Sequence, residues 1–155
     1  MRDSKKHQAW FAGGKLSCLQ KLWDELERIG PVYGYFPNAR KTVFIVKEQF
    51  YEEAKEWFGK TGVIISREGQ IHLGAVIGSQ GFKEQYVQDL VDGWVKEVET
   101  LAEYALSEPQ AAYAAFTFGL LHKWSYCERT IPDTFHTYEP LEKAIREKLI
   151  TALTG

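Results

Sequence analysis

A few side chains in this sequence have types that could do chemistry. His122 and Cys127 offer an imidazole and a thiol, the pair a thiolate nucleophile needs, but five residues apart on a helix they fall on different faces. Glu52-Glu53 and Glu84 could act in acid–base chemistry, yet each sits in a charged helix face and reads as solvated surface charge. His72 lies in a β-patterned run and reads as a strand histidine. The two cysteines, Cys18 and Cys127, share no metal-ligand spacing with the four histidines. Both read as reduced and buried, the pattern of a cytosolic or nuclear chain. No phosphate-binding loop, nucleophile elbow or paired His/Cys set is present. Lys123 and Arg129 could meet phosphate, and Trp124 could stack on a base. The same residues also read as solvated cations and a core tryptophan. Gly74 is either a close-approach point for a nucleic-acid backbone or a strand glycine that permits a bulge.

The elements that must position these groups follow from periodicity. Residues 15–29 predict a helix, with Leu16, Leu19, Leu22, Trp23, Leu26 and Ile29 on one face. Gly30-Pro31 should end it, and a Tyr/Pro/Gly-rich loop follows, in which Asn38 could close an Asx turn. Residues 42–46 read as a buried strand. Residues 48–58 read as a second helix with Phe50, Ala54, Trp57 and Phe58 inward. Residues 62–66 and 70–77 predict a hairpin around Arg67-Glu68-Gly69. Beyond residue 78 the pattern is helical. A long amphipathic helix spans 82–106, with Trp94 and Leu101 inside and an acidic outer face. Ser107 is a candidate cap for a helix over 111–126, Ile131-Pro132-Asp133 is a break, and a last helix covers 140–153. The expected fold is α+β: a small antiparallel sheet with two helices over 1–78, then a helical region over 79–155.

Composition narrows the classes. The 155 residues are 45% hydrophobic and 26% charged, a globular balance, and no apolar run reaches the length of a membrane span. The basic first residues lack an apolar stretch behind them, so no secretory signal is expected and the chain reads as intracellular. The net charge of −2 hides a split: residues 1–60 carry 11 Lys/Arg against 8 Asp/Glu, whereas residues 61–155 carry 8 against 13. Contact with a polyanion should therefore fall in the first part or on a few local side chains.

One ordered series of motifs points further. The helix from Gly14-Lys15-Leu16, Gly34 with Asn38-x-x-Lys41-Thr42, a strand, and His72-Leu73-Gly74-Ala75-Val76-Ile77-Gly78 resembles the reverse transcriptase domain of retroelements. The resembling part is the palm that follows the catalytic aspartate hairpin. Gln110-Ala111-Ala112-Tyr113-Ala114-Ala115-Phe116, His122-Lys123-Trp124 and Arg129-Thr130-Ile131-Pro132 resemble the helical thumb-like region of the same enzymes. The resemblance covers nearly all of the chain from Gly13 onward. It implies a partial palm over 1–78, with Leu73 and Gly74 in a primer grip, and a thumb-like region over 79–155. It places Arg40, Lys41, Leu73, Gly74, Lys123 and Arg129 near primer–template nucleic acid.

The departure from the family is as informative. Where its members carry an aromatic-x-Asp-Asp turn, this chain reads His7-Gln8-Ala9-Trp10-Phe11, and Asp3 is the only acid among the first 23 residues. Two-metal polymerase chemistry needs converging carboxylates to hold two Mg²⁺ ions, and Gln or Ala cannot supply them. The expectation is a non-catalytic fragment with no cofactor of its own, Mg²⁺ belonging to the intact family. Its nucleic-acid binding should be weak at best, and no membrane is involved. The alternative is an independent non-enzymatic adaptor that binds a protein through the acidic helix 82–106.

Overall fold

The computed structural model describes residues 12–72 and 74–155. The fold is α+β, dominated by helix, with two sheets of two strands each. The chain forms two compact units, one running to Ile65 and one from Ser66. That boundary lies before the β-hairpin rather than after residue 78. No helix among the described residues is long and apolar enough to cross a membrane.

In the first unit, helix α1 (Leu16–Ile29) turns its Leu16, Leu19 and Trp23 side chains to a small core. Leu22 and Ile29, read from the sequence as inward, stay exposed, as does Cys18. Gly30 does not end the helix in a left-handed conformation. It leads into a 3-10 turn (Gly30–Tyr33) with Pro31 in its first turn, and the left-handed residue is Gly34, at φ +74°. Gly30 is required for another reason: a Cβ there would stand 2.6 Å from the Tyr35 carbonyl oxygen. Strand β1 (Val43–Ile45) pairs with β2 (Ile64–Ser66), and helix α2 (Tyr51–Phe58) connects them. β1 is half-buried rather than fully buried, and Phe50 lies outward, in a 3-10 turn (Glu48–Phe50) that precedes α2. The core closes with the Phe44 and Phe58 rings 4.3 Å apart and Trp23 edge-on to Phe44 at 6.4 Å.

The second unit begins with the hairpin of β3 (Gly69–His72) and β4 (Ala75–Gly78), antiparallel, with His72 opposite Ala75 and Gly69 opposite Gly78. The expected pairing of 62–66 with 70–77 does not form. β2 is taken by β1, and Ser66 Oγ bridges to Gly69, donating to its carbonyl at 2.9 Å and accepting from its N–H at 3.1 Å. Helix α3 (Gln80–Ala105) follows, with Ser79 Oγ accepting from the Phe82 N–H at 3.3 Å. It buries Val87, Val91, Trp94, Val98, Ala102 and Ala105, while Leu101 is half-buried.

Helices α4 (Pro109–Ala115) and α5 (Leu121–Thr130) are joined by a π turn (Phe116–Leu120). Helices α6 (Glu139–Ala144) and α7 (Thr151–Thr154) are joined by another (Ile145–Ile150). The apolar seams explain both. Ala112, Phe116, Leu120 and Trp124 recur every four residues, and so do Leu141, Ile145, Leu149 and Leu153. At 3.6 residues per turn each such step drifts by about 40°, and a wide turn restores the seam to one side. Ser107 does not cap α4. Its hydroxyl donates back to the Tyr104 carbonyl at 3.1 Å, and Glu108 occupies the cap position. The break at 131–133 is real, with Asp133 at φ +64°.

The core of this unit is aromatic. Trp94 stacks on Tyr138 with centroids 6.4 Å apart and tilts against Trp124 at 6.0 Å, so Trp124 is a core residue. Trp94→Ala in the full chain should cost about 3–5 kcal/mol by urea unfolding. A loss below about 1 kcal/mol would place the ring outside the core.

Burial also holds three acidic protons in this unit. Desolvation raises Tyr138 well above the ordinary phenol range, with Cys127 and Glu128 adding to the effect, and it raises the Cys127 thiol and Tyr86 as well. Thr134 relieves little of the Tyr138 shift, because its hydroxyl donates to the Ile131 carbonyl at 3.1 Å. Tyr138 Oη has no hydrogen bond among the described residues. Unfolded thiols and phenols lose protons near pH 8.5 and 10, before the folded groups do. In that window the unfolded state binds fewer protons, so stability falls as pH rises. The urea midpoint should be flat from about pH 6 to 8. Above about pH 9 the unfolding free energy should decline, chiefly through the buried Tyr138 and Cys127, by no more than about 1.4 kcal/mol per pH unit each. Tyr138→Phe should reduce that decline without lowering stability at pH 7, since it removes a buried hydroxyl that bonds to nothing. A midpoint rising through pH 9–10 would overturn this account.

Candidate nucleic-acid interface

The sequence-predicted site residues fall in both units. Arg40 and Lys41 lie in a 3-10 turn (Ala39–Lys41) of the first unit, both exposed. The turn is held by the Asn38 carbonyl, which accepts from the Lys41 N–H at 3.0 Å and from Thr42 Oγ1 at 2.9 Å. Asn38 thus closes the loop through its backbone rather than as an Asx turn. No carboxylate among the described residues lies in ion-pair range of either cation.

Leu73 lies outside the described residues, as do Gln8 and Ala9, the positions where the catalytic pair of the resembled family would fall. Gly74 closes the two-residue link between β3 and β4 at φ +78°. It is a turn glycine, not a bulge. A Cβ there would meet the Tyr126 ring at 3.6 Å, an ordinary contact, so the backbone conformation is what excludes other residues. Tyr86 Oη donates to the Gly74 carbonyl at 3.1 Å, tying the turn to α3. The turn therefore stands beside α5, which carries Lys123 and Arg129. The Tyr86 anchor was not signalled by the sequence, where Tyr86 reads only as one more residue of an apolar stripe.

Lys123 is already engaged: its ammonium lies 2.6 Å from a Glu97 carboxylate oxygen on α3. Arg129 is exposed in the last turn of α5. The acidic face of α3 is met in the same way elsewhere, by Lys148 on Glu99 at 2.5 Å and by His136 Nε2, 3.4 Å from Glu84. Near its start, Gln80 and Lys83 donate to the Asp133 and Pro132 carbonyls, pinning the 131–133 break. Among the described residues no group of three or more His, Cys, Asp or Glu side chains could hold a metal ion. Cys127 is buried with a raised thiol and His122 is exposed on α5, so the two form no nucleophilic pair.

Tyr86→Phe tests the anchoring of the turn. Loss of one hydroxyl should cost about 1 kcal/mol and speed amide hydrogen exchange in β3 and β4 more than in α3. Unchanged exchange in the hairpin would show that Tyr86 does not hold it.

No protein-family model, no curated protein and no solved structure matches this chain.

Proposed function

We propose that this chain is the C-terminal palm and thumb-like part of a retroelement reverse transcriptase, able to hold nucleic acid but not to polymerise by itself. The observation that carries the reading is the hairpin. Its two-residue link ends at Gly74, is tied by Tyr86 to the long helix, and stands beside the helix that bears Arg129. A primer grip needs such a fixed, narrow turn beside a helical region. The order of elements is compatible with the resemblance: helix, Asn-x-x-Lys-Thr turn, strand, helix, strand, hairpin, then helices alone. Leu22, Ile29, Ile45 and Ile64 remain exposed on the elements of the first unit, as expected where further protein covers them in a larger enzyme. The adaptor reading gains no specific support, because Glu97 and Glu99 of the acidic helix already face Lys123 and Lys148 of the same unit.

Primer extension and fluorescence anisotropy test the reading together. The purified chain should add no nucleotide to a primed template with Mg²⁺ or Mn²⁺. It should bind a labelled primer–template duplex weakly, with affinity falling about tenfold between 50 and 200 mM salt if two phosphates are neutralised. Absence of any duplex binding at 50 mM salt would overturn the nucleic-acid reading. Metal-dependent extension that co-elutes with the chain would overturn its non-catalytic part.

A further inference from the structure

The first unit carries two open aromatic rings that the resemblance does not use. Tyr33 is 83% exposed and Phe36 is 72% exposed, whereas Tyr35 between them is half-buried. Aromatic rings so open are costly to present to water unless something covers them. The loop that presents them is fixed rather than loose. The Tyr35 N–H donates to the Gly30 carbonyl at 2.9 Å, the Gly34 N–H to the Pro31 carbonyl at 3.1 Å, and Gly34 turns the chain in the left-handed region. Four and five residues beyond Phe36 come Arg40 and Lys41, on a turn equally pinned by the Asn38 carbonyl. Charge singles out the same stretch. Between Glu27 and Glu48 the sequence has no acid, and it carries Arg28, Arg40, Lys41 and Lys47.

We infer that this patch binds single-stranded nucleic acid, with Tyr33 and Phe36 stacking on bases and Arg40 and Lys41 meeting the adjoining phosphates. Two open rings followed by two cations with no carboxylate in ion-pair range among the described residues are the ingredients of a sequence-tolerant single-strand site. A protein partner would suit the rings as well, but the charged residues of the stretch after Glu27 are all basic up to Glu48, which favours a polyanion. Because both turns are already hydrogen-bonded, little ordering is needed on binding. The inference rests on the nucleic-acid reading above and adds to it a ligand, an unpaired strand rather than the primer–template duplex.

The test uses the full chain and two fluorescent probes, a 20-nucleotide oligo(dT) and a blunt 20-base-pair duplex, titrated from 50 to 200 mM salt. Tyr33→Ala and Phe36→Ala should each weaken oligo(dT) binding about fivefold to a hundredfold and leave the salt slope unchanged. Tyr33→Phe and Phe36→Tyr, which keep the rings, should retain the affinity. Arg40→Ala with Lys41→Ala should lower the salt slope by about 0.7 per cation removed. Circular dichroism and the urea midpoint should match the parent chain, since all four side chains are exposed. Oligo(dT) binding unaffected by the ring deletions overturns the patch. If duplex binding persists in that case, the wider reading stands, whereas loss of both probes for the parent chain ends both. Self-association that depends on Tyr33 and Phe36, without oligo(dT) binding, would make the patch a contact between copies and also overturn the inference.

Discussion

The second unit depends on keeping Trp94 dry. Its ring lies on α3 against Trp124 and Tyr138, and the rest of the unit is arranged so that two helical segments reach it from different points of the sequence. α3 meets this demand by ordinary α-helical period. Val87, Val91, Trp94, Val98, Ala102 and Ala105 take five steps over eighteen residues. Its partners cannot do the same, because their apolar residues recur every four positions. A straight α-helix would carry Trp124 and Leu149 progressively round to solvent. The π turns at 116–120 and 145–150 cancel that drift, at the expense of less favourable backbone geometry. Burial of large side chains outweighs that cost here, since Trp124 and Leu149 both end in the core.

The same burial explains why the hairpin belongs with the helices. Val76 of β4 is 3% exposed and joins the Trp94 core, the Ser79 N–H donates to the Glu68 carbonyl at 2.6 Å, and Tyr86 holds the Gly74 carbonyl. An isolated two-stranded ribbon is marginal in water. This one persists as a flap fastened at both ends to the helix it precedes. Hairpin and long helix are therefore one mechanical piece, and a side chain that shifts α3 also shifts the turn.

Much of this architecture was legible in the sequence. The apolar stripe of α1 and the long stripe of α3 gave their helices within a few residues, and Ile131-Pro132-Asp133 announced its break. What was not legible has local physical causes. Two short β-branched runs flank Arg67-Glu68-Gly69, and either hairpin register satisfies alternation. The choice falls to Gly74, whose left-handed φ makes the tighter link, and to β1, which claims β2. Ser107 has the right type for a cap but bonds backward to Tyr104, closing α3 instead. Leu22, Ile29 and Phe50 have core-type side chains on the expected faces, yet the described part of the first unit lacks enough neighbouring surface to cover them. Of the candidate site, Gly74 could be placed beside α5, against Tyr126, only once the hairpin was seen in the fold. Tyr33 and Phe36 were hidden in a loop whose composition suggests a turn and nothing more.

Electrostatics separates cations that look equivalent in the sequence. α3 is acidic, but the helices packed on it return Lys123 to Glu97 and Lys148 to Glu99, leaving Asp89, Asp92 and Glu103 exposed along its outer side. These surface pairs contribute little stability, roughly 0–1 kcal/mol each. Their larger effect is on availability. A phosphate approaching Lys123 must displace Glu97 and pass a field that is negative overall, since residues 61–155 carry 13 acids against 8 bases. Arg40 and Lys41 face no such competition, on an acid-free stretch with open rings beside it in sequence. Under the nucleic-acid reading, attraction of a polyanion should therefore be stronger at the cations of the first unit than at Lys123 of the second. Screening by salt then acts mainly on Arg40 and Lys41, and the fixed geometry around Gly74 is left almost untouched by it.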